Sequence, residues 1–327
     1  SFIDLCCGIG GFHLGMKNFE CKLACDIKKS CRENYKKNFN FVCKENILEI
    51  DEKKLENFTI LCCGFPCQPF SSAGLKKGLE DKRSMVYYKI KKIIEIKQPD
   101  IILLENVKNI ISIEKGNIFN NIISEIEKLN YNISFSILNT SNFGLPQNRE
   151  RVFIVGLNKN KYNEIIFDFT NLNNFSIKIN LINIIDLKNK NYIDPIKYTL
   201  LNKNLIKKQK SGLIFCGYLN GNQRKNGVAN NTPHLSRFHK QNNRIYHING
   251  INPTLISSEK NGRYYIYDNI GVRKLSIIEC FRLMGYPDNF KLEKSNSCNY
   301  EHIGNSVSPI IIEKIVQEFY NQSLFNF

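Results

Sequence analysis

Short apolar runs separated by mixed polar stretches organise the first half of the chain. Strand patterns fall at Phe2–Leu5, Leu23–Cys25, Ile60–Cys63, Ile101–Glu105, Ile133–Leu138 and Val152–Gly156. Between them, apolar residues recur at i, i+3 and i+4, most clearly over Ser84–Lys97 and Asn117–Leu129, the period of an amphipathic helix. Alternation of this kind predicts an α/β fold with a mostly parallel sheet covered on both faces. Ligands of such sheets bind beyond the carboxyl ends of the strands. After about Leu157 the pattern weakens. Residues 158–212 are rich in Asn and Lys with little periodicity, and 213–270 hold short aromatic and β-branched runs (LIFCGYL, RIYHI, RYYIY) broken by Gly, Asn and Pro. A smaller, loop-rich domain with a few strands is expected there. A helical stripe returns at Ser308–Phe319 and reads as docking back onto the first domain.

Composition narrows the class. At 327 residues, 42% hydrophobic and 23% charged, the chain has the make-up of a globular protein of about two domains. No apolar run approaches the roughly 18–20 residues that span a membrane, and SFIDLCCGIGG opens like a core strand, not a signal peptide. The 12 cysteines include no C-x-x-C pair, so no metal site is expected and most read as small buried hydrophobes in a reducing cytosol. Charge adds a partner. Of the net +16, +12 falls between Asn180 and Asn299, where 19 Lys/Arg face 7 Asp/Glu. A Lys- and Asn-rich composition accounts for some lysines, but clustering in one segment points to a polyanion.

Two loops carry candidate chemistry. FIDLCCGIGGFHLG joins a strand to a helix start through a glycine turn that lets the backbone approach a ligand. It fails the dinucleotide pattern G-x-G-x-x-G, because His13 holds the third position, so a nicotinamide oxidoreductase fits poorly. Asp26, ending LACD, suits a ribose diol, and Asn46 in KENILEI suits an adenine edge; together they suggest an adenosine cofactor without phosphates. The second loop is GFPCQPFSSAG. There Cys67 leaves a strand between Pro66 and Gln68, with Ser71 and Ser72 beyond, surroundings less apolar than an inert core thiol prefers.

With LLENV, FGLPQNRERVFIVG, RKLSIIECFRLMGYPDNF and IGNSV following in order, these motifs closely resemble the DNA cytosine-C5 methyltransferase family, in its compact prokaryotic form. The resemblance covers most of the chain and leaves only about 180–250 without a family-wide pattern. It implies a Rossmann-like S-adenosylmethionine-dependent methyltransferase sheet, formed by 1–178 plus 300–327, with an irregular basic target-recognition domain at 179–299. It implies Cys67 as the nucleophile that adds to cytosine carbon 6. Glu105 would bond N3 and the 4-amino group, Arg151 would hold the carbonyl oxygen, and Arg149, placed with the catalytic residues, and Gln147, placed with the DNA contacts, would support the loop and touch backbone. The implied cofactor is S-adenosylmethionine, held by Gly8, Gly10, Gly11 and Phe12, by Asp26 and Ile27, by Asn46 and Ile47, by Pro66 and Val86, and by Asn305 and Ser306. Two positions depart from the family: Cys6 stands where Phe is common, and Asn46 where Asp is usual.

Double-stranded DNA is the implied partner, and the target base must be swung out of the stack. Arg244 and Thr254 match DNA-contacting positions; Arg224, Lys225, Arg237 and Arg263 are candidates from charge, while Ser71, Ser72 and Lys76 belong to the loop expected to close over the base. The resemblance also implies a monomeric, nucleoid-associated enzyme of the prokaryotic cytoplasm, the modification half of a restriction-modification system whose endonuclease acts separately. Two rivals remain. Relatives that methylate transfer RNA carry a Cys-Phe-Thr stretch absent here, and a silent DNA-binding relative would have lost Cys67, Glu105 or Arg151, all present.

Overall fold

The computed structural model describes residues 1–65, 82–221, 232 and 234–325. Cys67, Pro66, Ser71, Ser72, Lys76, Arg224 and Lys225 lie outside the described residues. The chain divides into two compact units, Ser1–Asn139 with Glu150–Phe175 and Ser306–Phe327, and Thr140–Arg149 with Ser176–Asn305.

The first unit is built on a six-stranded sheet. Its strands are β1 (Phe2–Leu5), β2 (Cys21–Cys25), β3 (Ile60–Gly64), β4 (Ile101–Val107), β5 (Tyr131–Asn139) and β7 (Glu150–Asn158), in the order β2-β1-β3-β4-β7-β5. The first four pair in parallel; β7 runs antiparallel to both β4 and β5. Central strands are largely apolar on both faces, as burial under helices on each side requires: the first four residues of β3 and β4 are buried, and so are all four of β1, where Asp4 is the one polar residue. Helices Lys82–Lys97 and Asn117–Glu127 lie close to the expected spans, and Ile90, Ile93, Ile94, Ile118, Ile122 and Ile126 enter one apolar cluster with the sheet. The last helix, Pro309–Asn321, docks within this unit. Gly15 is the contact point, since a Cβ there would stand 2.5 Å from Cβ of Ile312. No helix among the described residues is long and apolar enough to cross a membrane.

The second unit holds a five-stranded sheet ordered β13-β12-β10-β9-β8: Val272–Lys274, Tyr265–Tyr267, Arg244–His247, Phe215–Leu219 and Tyr198–Leu200. One apolar cluster joins Cys216, Ile245, Tyr265 and Val272, and Tyr246, Ile248, Leu255, Ile266, Leu275, Phe281 and Leu283 are buried in the same unit. Buried polar bonds supplement this core. Arg273 and Glu279 form a doubly hydrogen-bonded ion pair, 2.9 and 2.8 Å, at 1% and 0% exposure. Glu279 also accepts the backbone N–H groups of Ser276 and Asp186. Burial alone would raise its pKa, but Arg273 and the two N–H donors outweigh it and hold the carboxyl below its usual value.

Thr140–Arg149 was expected in the first domain and packs in the second unit. The reason is a two-residue parallel pairing, Gln147 with Asn252 and Asn148 with Pro253, around fully buried Gln147. Residues 300–305, likewise expected in the first domain, end a helix of the second unit, Asn296–Asn305.

Replacing Glu279 by Gln leaves Arg273 without its counter-charge and should lower the stability of the second unit by about 3–5 kcal/mol at neutral pH. Because the folded pKa lies below the unfolded one, roughly 4.3, the pair's contribution is complete above that value and fades as pH falls through the folded pKa. Urea unfolding followed by tyrosine fluorescence should show a large gap between wild type and variant at pH 7 and a smaller one near pH 3.

Candidate active site

The ends of four strands of the first unit, β1 to β4, gather the candidate residues. At the end of β4, Glu105 sits opposite Phe153 of β7, and Val107 opposite Arg151, so Glu105 and Arg151 share one face of the antiparallel pair. Arg151 Nε lies 3.1 Å from Glu105 Oε1, with the side chains 16% and 12% exposed. Arg151 Nη1 also donates to the carbonyl of Glu150 at 2.8 Å, and the Glu150 carboxylate takes Lys108 at 3.0 and 3.1 Å. A planar guanidinium held at fixed geometry beside a carboxylate makes a preorganised polar pair in a largely dry place.

The neighbouring residue supplies an anchor. Asn106, 3% exposed, donates through Nδ2 to the carbonyl of Phe65 at 2.8 Å and accepts the N–H of Val107 at 2.8 Å. Phe65 is the last described residue before the Cys67 loop, and Gly64 pairs in register with Glu105. A Cβ at Gly64 would come into van der Waals contact with the acid, 3.4 Å from Glu105 Oε2. Sequence reasoning passed over Asn106; an amide beside a strand-end acid was the only signal for it.

The glycine turn follows β1. Gly8 and Gly10 adopt φ of 54° and 84°, the left-handed region, and Cys6 does the same at 57°. The two glycines are needed for different reasons. A Cβ at Gly10 would collide with Phe39 at 2.2 Å, whereas one at Gly8 would meet nothing within 4 Å. Gly8 N donates to Asp26 Oδ2 at 2.8 Å, tying the turn to the end of β2, and Lys28 N donates to Oδ1 at 2.8 Å. Burial, partly offset by these N–H groups and by Lys28 and Arg32, leaves the Asp26 carboxyl above its usual pKa. Beside it Ile27 is 71% exposed, a large apolar side chain at the rim of a polar strand end. Open space above Gly8, an acid already oriented by backbone and an apolar platform next to it fit a nucleoside-bearing ligand. Gly11 and Phe12 are buried at the start of the helix Gly11–Gly15, where they shape the turn from below.

His13, whose presence excluded the dinucleotide pattern, stacks on Phe39 at 4.1 Å and meets the Tyr35 hydroxyl at 2.7 Å. Burial lowers its pKa to about 4, so the ring is neutral packing. Asn46 caps the short helix Ile47–Glu49: Oδ1 accepts Leu48 N at 3.1 Å and Nδ2 donates to Glu49 Oε1. Ile47 is buried, Val86 packs on the core, and Ser306 Oγ donates to the carbonyl of Val307.

Arg149 and Gln147 need correction. Both are buried in the second unit, at 2% and 0% exposure. Arg149 donates to the carbonyls of Leu255 and Gly304; Gln147 donates to the carbonyl of Leu283 and accepts from Leu255 N. Both side chains tie the loop to neighbouring backbone of the same unit. A catalytic part for Arg149 and a DNA contact for Gln147 do not fit such burial. Asn305 is exposed and also belongs to the second unit. Thr254 Oγ1 donates to the Asn148 carbonyl, Arg244 Nε to the His239 carbonyl, and Arg263 forms a two-oxygen pair with Glu259. Arg237 is exposed.

Several other thiols are chemically quiet. Cys62, Cys63 and Cys280 are fully buried, and burial pushes Cys25 and Cys216 up to about 12.

A mostly parallel sheet with a glycine turn after β1 and an acid–guanidinium pair at the end of β4 defines an α/β protein whose polar groups gather at the carboxyl ends of its strands. Residues 1–321 match the family model for the C-5 cytosine-specific DNA methylase, and the chain belongs to that family. It is similar to the Type II methyltransferase M.HhaI of Haemophilus parahaemolyticus, 31% identical over 96% of this chain and 92% of that one. It is also similar to the Type II methyltransferase M.HaeII of Haemophilus aegyptius, 32% identical over 98% and 92%. The fold resembles that of the Entamoeba histolytica methyltransferase EhMeth, with a TM-score of 0.69 at 19% identity, covering 99% of this chain and 98% of that one.

The two glycines separate folding from binding. Gly8→Ala should unfold at nearly the wild-type temperature, losing only the ~1–2 kcal/mol of a left-handed alanine, yet bind S-adenosylmethionine at least tenfold more weakly by calorimetry. Gly10→Ala should lose stability outright through its clash with Phe39.

Proposed function

We propose that the protein transfers a methyl group from S-adenosylmethionine to carbon 5 of a cytosine in duplex DNA. The observation that carries this reading is the Glu105–Arg151 pair beside the Asn106-anchored end of β3, from which the chain runs on to Cys67. Carbon 5 of cytosine is a weak nucleophile. Addition of the Cys67 thiolate to carbon 6 forms a C–S bond and turns the ring into an enamine. Glu105 bonds N3 and the 4-amino group and favours ring protonation as the sulfur adds. Arg151 binds the carbonyl oxygen and stabilises the charge that moves there. When bound, S-adenosylmethionine supplies an electrophilic methyl on a sulfonium. Loss of the carbon 5 proton to a water then lets the C–S bond break and frees Cys67.

The residues around Asp26 suit the nucleoside half of that cofactor: its carboxylate faces a ribose diol, Ile27 an adenine face, and the Gly8 turn the methionine end. Arg237, Arg244 and Thr254 serve the DNA side, with Arg263 oriented by Glu259. The target base leaves the stack at a cost of a few kcal/mol, which the basic second unit offsets through phosphate contacts. The protein acts as a monomer, as the modification enzyme of a restriction-modification system.

Labelled methyl from S-adenosylmethionine should appear in genomic DNA as 5-methylcytosine and not in bulk transfer RNA; label in RNA alone would overturn the substrate. Cys67→Ala should abolish transfer while DNA binding persists, and turnover by this variant would sink the nucleophile assignment. Glu105→Gln should slow transfer by at least a hundredfold. A duplex carrying 5-fluorocytosine at the target should trap a covalent adduct visible by denaturing electrophoresis.

A further inference from the structure

Two thiols stand where the glycine turn and the Cys67 loop begin. β1 and β3 are neighbours in parallel register, with Leu5 opposite Cys63. Cys6 follows Leu5 and opens the glycine turn, while Cys63 precedes Gly64 and the run to Cys67. Consecutive side chains of a regular strand alternate between faces, which would send Cys6 away from Leu5 and Cys63. The left-handed backbone of Cys6, φ 57°, ends that alternation, and its side chain packs on the apolar cluster that holds Leu5 and Cys63. The two thiols are hydrogen-bonded to each other. One strand spacing of about 4.8 Å and one residue of rise, about 3.3 Å, set their Cα atoms about 6 Å apart, inside the span that a disulfide bridges.

Sulfur proximity alone would favour another pair. Cys7 and Cys43 bring their sulfurs to 3.8 Å, yet β2 lies between them. Cys25 O accepts Cys7 N on one side of β2, and Ala24 O accepts Lys44 N on the other. Two strand spacings, roughly 9–10 Å, exceed the reach of a disulfide. In the Cys6–Cys63 pair the access is unequal: Cys6 is partly exposed and Cys63 fully buried. Burial and the bond to Cys6 push the Cys63 thiol well above its usual pKa, so its route to oxidation runs through Cys6.

We propose that Cys6 and Cys63 form an oxidation-sensitive dithiol whose disulfide weakens cofactor binding at the adjoining glycine turn. A low-molecular-weight disulfide, oxidised glutathione, is the oxidant. The Cys6 thiolate attacks one of its sulfurs, a Cys6–glutathione bond forms, and one glutathione leaves as thiolate. Cys63 then loses its proton and attacks the Cys6 sulfur; the Cys6–Cys63 bond forms and the second glutathione thiolate leaves. The dithiol loses two electrons, the oxidant gains them, and the two thiol protons end on the two glutathiones. Bond formation draws the sulfurs together to about 2.05 Å and pulls the first left-handed residue of the turn toward β3. Gly8, with its bond to Asp26, lies on the same short turn and is displaced with it. The inference rests on the S-adenosylmethionine reading of that turn and adds its regulation.

The test uses the full chain carrying Cys67→Ala, so that the proposed nucleophile neither reacts nor reports. After equilibration in glutathione buffers and blocking of free thiols, peptide mass spectrometry should find Cys6 linked to Cys63. The link should vanish when Cys6→Ala or Cys63→Ala is added, with thermal unfolding to check that each variant is folded. Calorimetry should show S-adenosylmethionine bound about 5- to 150-fold more weakly after oxidation, and no change on oxidant treatment of the Cys63→Ala protein. Linkage makes the effect reciprocal: saturating S-adenosylmethionine should raise the reduction potential of the pair by about 30 mV for each tenfold in affinity. No link, or a link elsewhere such as Cys7–Cys43, overturns the dithiol. A mapped Cys6–Cys63 link with unchanged affinity overturns the switch. Failure of the reduced protein to bind S-adenosylmethionine rejects the cofactor reading and the switch together, while a mapped link still supports the dithiol.

Discussion

The hydrogen bond from Asn106 to the Phe65 carbonyl fixes the end of β3 against the end of β4. In-register parallel pairing from Ile60–Ile101 to Gly64–Glu105 brings both strands to their carboxyl ends together. Asn106 then uses its side chain where the ladder stops, satisfying a carbonyl that would otherwise lack a strand partner. Glu105, one residue earlier, faces β7 and meets Arg151 because antiparallel register sets the two diagonally on one face. A slip of one residue in β4 would turn Glu105 to the other face and withdraw Asn106 from Phe65. The apolar residues Ile101–Leu104, all buried, prevent that slip. Packing far from the chemistry thereby sets its geometry.

A second constraint governs the cofactor side. The turn after β1 passes through three left-handed residues, Cys6, Gly8 and Gly10, within five positions. Non-glycine residues resist that region by roughly 1–2 kcal/mol, so Cys6 is held there by its surroundings. The bonds from Cys7 N to Cys25 O and from Gly8 N to Asp26 carry that load. Both run to the end of β2, so the turn and the acid are one mechanical unit.

Much of this was legible in the sequence. The runs that begin β3 and β4 are apolar on both faces and sit between turn residues, which leaves little alternative. Strand ends were harder, since β5 and β7 run on through polar Asn132, Asn139 and Asn158 that only pairing recruits. Side-chain destinations were hardest. Gln147 and Arg149 lie in a polar run, QNRER, that looks like exposed surface. Only the pairing with Asn252–Pro253 and the carbonyls of Leu255 and Gly304 turn them inward. Asn46 reads as a ligand contact, but an Asn two residues before an N–H at a helix start serves equally as a cap, and that is where its oxygen points. Short-range pattern identifies elements; long-range partners decide what a polar side chain does.

The charge of the second unit follows from the same allocation of partners. Four of its acids hold structural partners, Asp288 at the surface and the others buried: Glu279 with Arg273, Glu259 with Arg263, Asp288 with Arg282, and Asp268 with Tyr192 and backbone. Each pairing uses an arginine, a tyrosine or a turn amide, and Lys260 pairs with Glu301. These bonds satisfy polar groups beside a core that includes Ile245, Leu255, Ile266, Val272, Leu275 and Leu283. With 19 Lys/Arg against 7 Asp/Glu between Asn180 and Asn299, they still leave the segment a positive excess. A surface of that sign raises the local concentration of a polyanion and speeds its arrival, before any side chain reads a base.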